Sequence, residues 1–163
     1  MDSLIFFFIA IIFFILLIPV IILLIAYFAA QSRKKKQKIL LDEVGTTEFH
    51  AFVRYNLGNA QSEFFKLKAF QGSGIIYIED RKIVFRDTLN QHPHTFNLDE
   101  ASIKWEDINL LNGLLKWFSV SDETKKYYFN IDSGMFIFNT NSSKPTTKSV
   151  FDKLIQYQTD YKQ

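Results

Sequence analysis

An apolar segment without a single charged residue extends over residues 4–30. A helix of this length would measure roughly 40 Å, whereas the hydrocarbon core of a bilayer is about 30 Å thick. A cleavable signal peptide has a hydrophobic stretch of only about 7 to 15 residues. The sequence therefore predicts a retained membrane-spanning helix preceded by a short external N-terminus, residues 1–3. Pro19 predicts a kink, because proline removes a helical hydrogen bond.

A cluster of basic residues follows the apolar segment directly. It holds five of the nineteen Lys and Arg residues of the chain: Arg33, Lys34, Lys35, Lys36 and Lys38. Basic residues near the end of a span favour the cytoplasmic side, and each can add roughly 1 kcal/mol of attraction to an anionic leaflet. We therefore interpret residues 31–45 as a basic juxtamembrane linker and expect the N-terminus outside and the rest of the chain in the cytoplasm. The apolar positions of this linker are compatible with a helix that ends at Gly45.

Residues 46–163 are enough for one compact domain and too few for two. In this region Lys and Arg equal Asp and Glu in number. A nucleic-acid binder needs a basic excess to neutralise phosphates, so we expect no nucleic-acid partner. The chain has no cysteine, which excludes disulfides, thiolate nucleophiles and zinc-thiolate sites.

The domain is dominated by alternating apolar and polar residues, the pattern of half-buried strands. The alternation predicts strands over residues 49–57, 63–70, 75–79, 83–87, 116–120, 125–131 and 135–138, with further extended residues around Phe96 and Ile103. Asp80-Arg81 predicts a tight hairpin turn. In the tail the apolar residues adopt helical spacing from Val150 onward, and Thr146 or Thr147 can cap that helix.

This order of elements resembles the pleckstrin-homology superfold, in particular its bacterial and GRAM-type members. The resemblance is carried by the hairpin over residues 74–86, by Trp105-Glu106-Asp107-Ile108, and by the final strand and helix. It implies a mainly antiparallel β roll or partly open barrel of about seven strands, capped by a C-terminal α-helix. Residues 46–163 would form this domain behind a single transmembrane helix.

The same resemblance implies a candidate headgroup-binding site. Phosphoinositide-binding members carry a basic residue on the first strand and a basic-x-basic pair on the second, and Arg54, Lys66 and Lys68 stand at the similar positions here. Lys68 departs from the family pattern, which has an arginine that binds phosphate with two hydrogen bonds. The alternative is that these lysines belong to solvated faces of edge strands.

Catalytic and metal-binding patterns are missing from the sequence. Gly72-Ser73-Gly74 lacks a third glycine and precedes a predicted strand, so it indicates a turn where glycine adopts a positive φ and not a phosphate-binding loop. His92 and His94 flank Pro93 in a predicted loop, and His50 belongs to a different strand. We therefore expect no enzyme activity, no catalytic residues, no cofactor and no bound metal.

Three functions stay open at this point. The first is a single-pass protein that presents a binding or scaffolding module to a membrane-proximal protein partner, because the anchor already supplies membrane attachment. The second is a reader of lipid phosphomonoester headgroups through Arg54, Lys66 and Lys68. The third is a hydrolase or transferase whose site carries no recognisable motif.

Overall fold

A computed structural model describes residues 2–58, 70–90, 92–106, 115–132 and 145–162. Within these residues, helix α1 is followed by seven strands and helix α2. The elements are α1 Asp2–Val44, β1 Phe49–Leu57, β2 Gly72–Glu79, β3 Lys82–Asp87, β4 His94–Asn97, β5 Ser102–Glu106, β6 Trp117–Ser121, β7 Lys126–Ile131 and α2 Thr147–Lys162. Residues 63–69 of one predicted strand and the whole predicted strand 135–138 lie outside the described residues.

Helix α1 is continuous over 43 residues and includes Pro19. Among the described residues, one helical stretch, Phe6–Val44, is long and apolar enough to cross a membrane. The helix ends at Gly45, which has a φ of +79° and donates its amide hydrogen to the carbonyl oxygen of Leu41 at 3.0 Å. The predicted continuation of the helix to Gly45 is therefore confirmed, whereas the kink stays a prediction.

The seven strands form one antiparallel sheet in the order β4-β3-β2-β1-β7-β6-β5. Two consecutive meanders, β1 to β4 and β5 to β7, are joined where β1 pairs with β7. The predicted turn at Asp80-Arg81 is confirmed, with φ values of +47° and +62° that suit a two-residue hairpin. Gly72-Ser73-Gly74 is the first part of strand β2. The prediction of a turn there was wrong, because these glycines allow close packing inside the sheet.

One face of the sheet packs against α2 and forms the larger core. Phe85, Phe118 and Phe129 are fully buried there, together with Val150 and Leu154 of α2. The hydroxyl of Thr146 accepts a hydrogen bond from the amide of Ser149 at 3.0 Å, which fixes the start of α2 as predicted. The domain therefore has an antiparallel sheet and a C-terminal helix, as expected.

The opposite face of the sheet is covered by the last turns of α1. A stripe at helical spacing faces the strands and consists of Ala30, Arg33, Gln37, Leu40 and Val44. Leu40 and Val44 pack against a second, smaller core of Phe52, Ile75, Tyr77 and Val84. The segment interpreted as a linker is therefore helix, and its packing fixes the direction of the candidate membrane span relative to the sheet.

Gln37 makes the central polar contact of this helix–sheet interface. Its side chain is completely buried, and its amide nitrogen donates to the backbone oxygens of Val53 at 3.3 Å and Gly74 at 3.1 Å. Val53 and Gly74 are partners in the β1–β2 pairing. Because buried polar groups bond at specific positions, this contact fixes the register between α1 and the sheet.

Candidate functional site

A cavity of about 360 Å³ lies between α1 and one end of the sheet. Its walls come from the part of α1 directly after the apolar segment, from β1, from the start of β2 and from the turn after β3. The described lining residues are Ser32, Arg33, Lys36, Arg54, Phe70, Gln71, Gly72, Ser73, Thr88 and Leu89. Three of them are cationic and come from two different elements, so the fold brings together positive charges that are far apart in sequence.

Two of these cations share one buried carboxylate. Asp132 follows β7, and its Oδ2 lies 3.2 Å from Nε of Arg33 while its Oδ1 lies 3.1 Å from Nη2 of Arg54. The amide of Asp132 donates to the carbonyl oxygen of Phe52 at 2.9 Å, which holds the residue beside β1. Only 2% of the Asp132 side chain is exposed. The carboxylate therefore links α1 to the sheet through two guanidinium groups.

Among the described residues that line the cavity, the charged side chains are the three cations Arg33, Lys36 and Arg54. The buried carboxylates of Asp132 and Asp87 lie next to lining residues. Burial lowers the pKa of Arg54, Asp132 opposes that change, and the nearby charge of Arg33 lowers the pKa further. Arginine nevertheless stays protonated at neutral pH, since its ordinary pKa lies far above 7. An anion bound between these groups would reduce the repulsion between the two arginines.

Hydroxyl groups complete the polar part of the wall. The hydroxyls of Ser73 and Thr88 lie 3.2 Å apart, and the amide of Thr88 donates to the carbonyl oxygen of Ser73 at 2.9 Å. The guanidinium carbon of Arg54 lies 4.8 Å from the ring centroid of Phe70, which orients the arginine. Guanidinium, ammonium and hydroxyl donors around one small cavity are suited to a phosphate-like anion.

The cavity lies just beyond the end of the apolar segment. Ser32, Arg33 and Lys36 follow Ala30 by up to six residues, which corresponds to about 9 Å along a helix. The headgroup layer of a bilayer is roughly 5 to 8 Å thick on each side. If the hydrocarbon core ends near Ala30, the cavity therefore lies at the depth of the lipid headgroups.

The sequence-predicted site is only partly within the described chain. Arg54 lines the cavity, whereas Lys66 and Lys68 lie outside the described residues. Of the five residues predicted as a membrane flank, Arg33 and Lys36 line the cavity, and Lys34, Lys35 and Lys38 are not among its described lining residues. All four lysines are exposed on α1. Sequence reasoning missed the contribution of Arg33, Lys36 and Asp132. Part of the signal was present, because Arg33 has the helical spacing of Gln37 and Leu40.

His94 of the histidine pair is a packing residue of the sheet. It begins β4, and its ring centroid lies 5.1 Å from that of Tyr127 and 6.2 Å from that of Phe85. His92 is exposed in the preceding loop. Within the described ranges, no three His, Asp or Glu side chains are grouped in a way that could hold a metal ion. The burial of His94 lowers its pKa, and the charge of Lys125 lowers the pKa further.

This depressed pKa predicts sensitivity of the fold to acid. Above the ordinary histidine pKa of about 6.5, the His94 ring is neutral in both the folded and the unfolded protein. As the pH falls below that value, the unfolded chain gains a proton at this ring before the folded chain does, so the folded state loses stability. We expect the His94→Gln variant to lose less thermal stability than the wild type between about pH 7.5 and about pH 5.5. The exposed His92→Gln variant is the matched control. Equal losses in the His94→Gln variant and the wild type would contradict this assignment.

Comparison of the chain with protein-family models, with curated proteins and with solved structures finds no match. Over the residues that the structure describes, the architecture defines the class: one candidate membrane-spanning helix, a seven-stranded antiparallel sheet and a C-terminal helix. The pleckstrin-homology resemblance stays a prediction.

Proposed function

We propose that this chain is a single-pass membrane protein whose sheet domain binds the phosphate of an anionic lipid headgroup. The observation that supports this most directly is the convergence of Arg33, Lys36 and Arg54 on one cavity just beyond the apolar segment. This is the second of the functions expected from the sequence, with Arg33 and Lys36 joining Arg54. The cytoplasmic orientation and the protein partner stay predictions.

A lipid ligand has a use even though α1 already anchors the protein. The cavity lies between the helix and the sheet, so an anion held there contacts both and stabilises their packing. Lipid binding would then make the domain respond to the lipid composition of the surrounding leaflet. It would not be needed to recruit the protein to the membrane. The cytoplasmic leaflet is rich in anionic lipids, which fits the predicted orientation of the domain.

The test is lipid binding to the full-length protein in detergent, measured by native mass spectrometry. Phosphatidic acid and phosphatidylserine are titrated against phosphatidylcholine as the neutral reference, and inorganic phosphate is added as a competitor in a parallel series. We expect preferential retention of one anionic lipid per chain. If millimolar phosphate displaces the retained anionic lipid, the site binds phosphate itself. If the lipid stays bound in the presence of phosphate, the site needs the lipid.

Neutralising Lys36 should weaken this binding selectively. One charge-assisted hydrogen bond contributes about 1.5 kcal/mol or more, so Lys36→Gln should reduce retention of the anionic lipid about tenfold. Both lysines are exposed, but Lys35 is not among the described residues that line the cavity. Lys35→Gln therefore removes the same charge outside the cavity and should change retention less than about twofold. Equal effects of the two substitutions would show diffuse attraction to the basic segment and would refute the cavity as the binding site.

A further inference from the structure

Leu89 is a large apolar side chain exposed at the same end of the sheet as the cavity. It lies in the turn after β3, and 67% of it is accessible. Among the described residues beyond the apolar segment, the other exposed large apolar side chains are Leu57 and Ile39. Leu57 is the last residue of β1, and its amide donates to Oε1 of Gln71, a residue that lines the cavity, at 2.9 Å. Two of the three exposed apolar side chains are therefore at the end of the sheet nearest to the apolar segment.

The turn that carries Leu89 is held in place by hydrogen bonds. The amide of Leu89 donates to Oδ1 of Asp87 at 3.0 Å, and the other oxygen of that carboxylate accepts a 2.6 Å hydrogen bond from the hydroxyl of Tyr55. The amide of Thr88, the residue between Asp87 and Leu89, donates to the carbonyl oxygen of Ser73 of β2. Asp87 itself is buried. These hydrogen bonds fix the turn, and the Leu89 side chain is exposed on it.

The position of this turn relative to a bilayer follows from α1. Leu89 and Ser32 line the same cavity, and Ser32 is two residues beyond the end of the apolar segment. Because α1 is a continuous helix packed on the sheet through Gln37 and Leu40, the turn keeps this position relative to the candidate span. An apolar side chain at that depth meets the boundary between headgroups and acyl chains, where such side chains partition favourably.

We propose that the turn at residues 88–90 inserts Leu89 into the interface of the bilayer that α1 crosses, with Leu57 as an adjacent contact. The domain then rests on the membrane at two places, the helix and this turn. The occupant of the apolar surface is lipid and not a protein, because the same helix that positions the cavity brings the surface to the bilayer. The contact rests on the proposed membrane crossing of α1 and on apolar partitioning. Leu89 also lines the cavity, but its insertion requires no bound phosphate.

The absence of cysteine from the chain allows a direct measurement of depth. The full-length Leu89→Cys variant is labelled with an NBD fluorophore and reconstituted into nanodiscs of phosphatidylcholine, with and without phosphatidic acid. The matched control is Asp80→Cys in the β2–β3 turn, which lies at the other end of β2, about 23 Å away at 3.3 Å per residue. Circular dichroism verifies that both variants are folded.

We expect the label at position 89 to emit at shorter wavelength than the label at position 80 and to be quenched by lipids brominated near the headgroup. Both results should appear in purely zwitterionic discs, so that a failure of phosphate binding leaves this proposal standing. Water-like emission and no lipid quenching at position 89 would overturn it. That outcome would assign the surface to a partner absent from the discs, such as another protein.

Discussion

Replacing Asp132 with alanine should destabilise the full-length protein by about 3 kcal/mol, because it removes the buried carboxylate shared by two arginines. Arg33 and Arg54 would then remain close together with greater mutual repulsion. Since Arg33 belongs to α1 and Arg54 to β1, we expect the loss to appear as weakened packing of the helix on the sheet. The measurement is denaturant unfolding in detergent, followed by tryptophan fluorescence, to which the buried Trp117 and the partly buried Trp105 both contribute.

Two further variants identify the cause of that loss. Asp132→Asn keeps the size of the side chain and removes its charge, so a similar destabilisation would assign the effect to the charge. Asp160→Ala removes an exposed carboxylate on α2 and should change the free energy of unfolding by less than about 0.5 kcal/mol. If Asp132→Ala were as mild as this control, the carboxylate would not couple α1 to the sheet.

The same substitution separates stability from ligand binding. Asp132 is the negative charge between two of the cationic residues of the cavity, so its removal makes the cavity more positive. Where the Asp132→Asn protein remains folded, retention of phosphatidic acid should therefore increase or stay unchanged. A destabilised protein with preserved lipid retention is a combination that simple unfolding does not produce.

The elements with strong local signals could be predicted from the sequence. The uncharged apolar segment predicted α1, the alternation over Phe49–Leu57 predicted β1 to the residue, and Asp80-Arg81 predicted the hairpin. The spacing of Val150 and Leu154 predicted α2 and its buried face. Each of these signals is contained within a short window of chain, where periodicity and turn chemistry act without distant partners.

The cavity could not be predicted because its key partner is distant in sequence. Arg33 contacts Asp132, which is 99 residues further along the chain. A run of basic residues after an apolar segment is typical of a stop-transfer flank, and that interpretation leaves no reason to separate Arg33 and Lys36 from their neighbours. The distinction appears only when the helical stripe that contains Arg33 is matched to the face of the sheet.

The strand conformation of the β2 glycines could not be predicted for the same reason. Gly72-Ser73-Gly74 is typical of a turn, and turn chemistry depends on the local backbone. In the fold Gly74 pairs with Val53 and Asp87 on its two sides, and it is needed because the neighbouring strand comes very close. That closeness depends on β3, which no local pattern at residues 72–74 reveals.

Gly74→Ala should therefore destabilise the domain by about 3 kcal/mol, the upper part of the range for overpacked cores. An added Cβ would lie 2.1 Å from the carbonyl oxygen of Arg86 and 2.7 Å from Cε2 of Phe85. The first contact is with backbone in a paired strand, so relief requires β2 and β3 to separate. Denaturant unfolding followed by tryptophan fluorescence measures the change in the free energy of unfolding.

Gly58→Ala is the control that separates crowding from backbone strain. Gly58 has a φ of +81° and open space around its Cα, so alanine there should cost only about 1 kcal/mol through its unfavourable φ. Gly74 is not a positive-φ residue, and its substitution acts through contact alone. Equal losses at the two positions would contradict the close approach of β2 and β3. A larger loss of stability for Gly74→Ala would support it. The displaced backbone at Gly74 would also move the carbonyl oxygen to which Gln37 donates, and this would loosen α1 from the sheet.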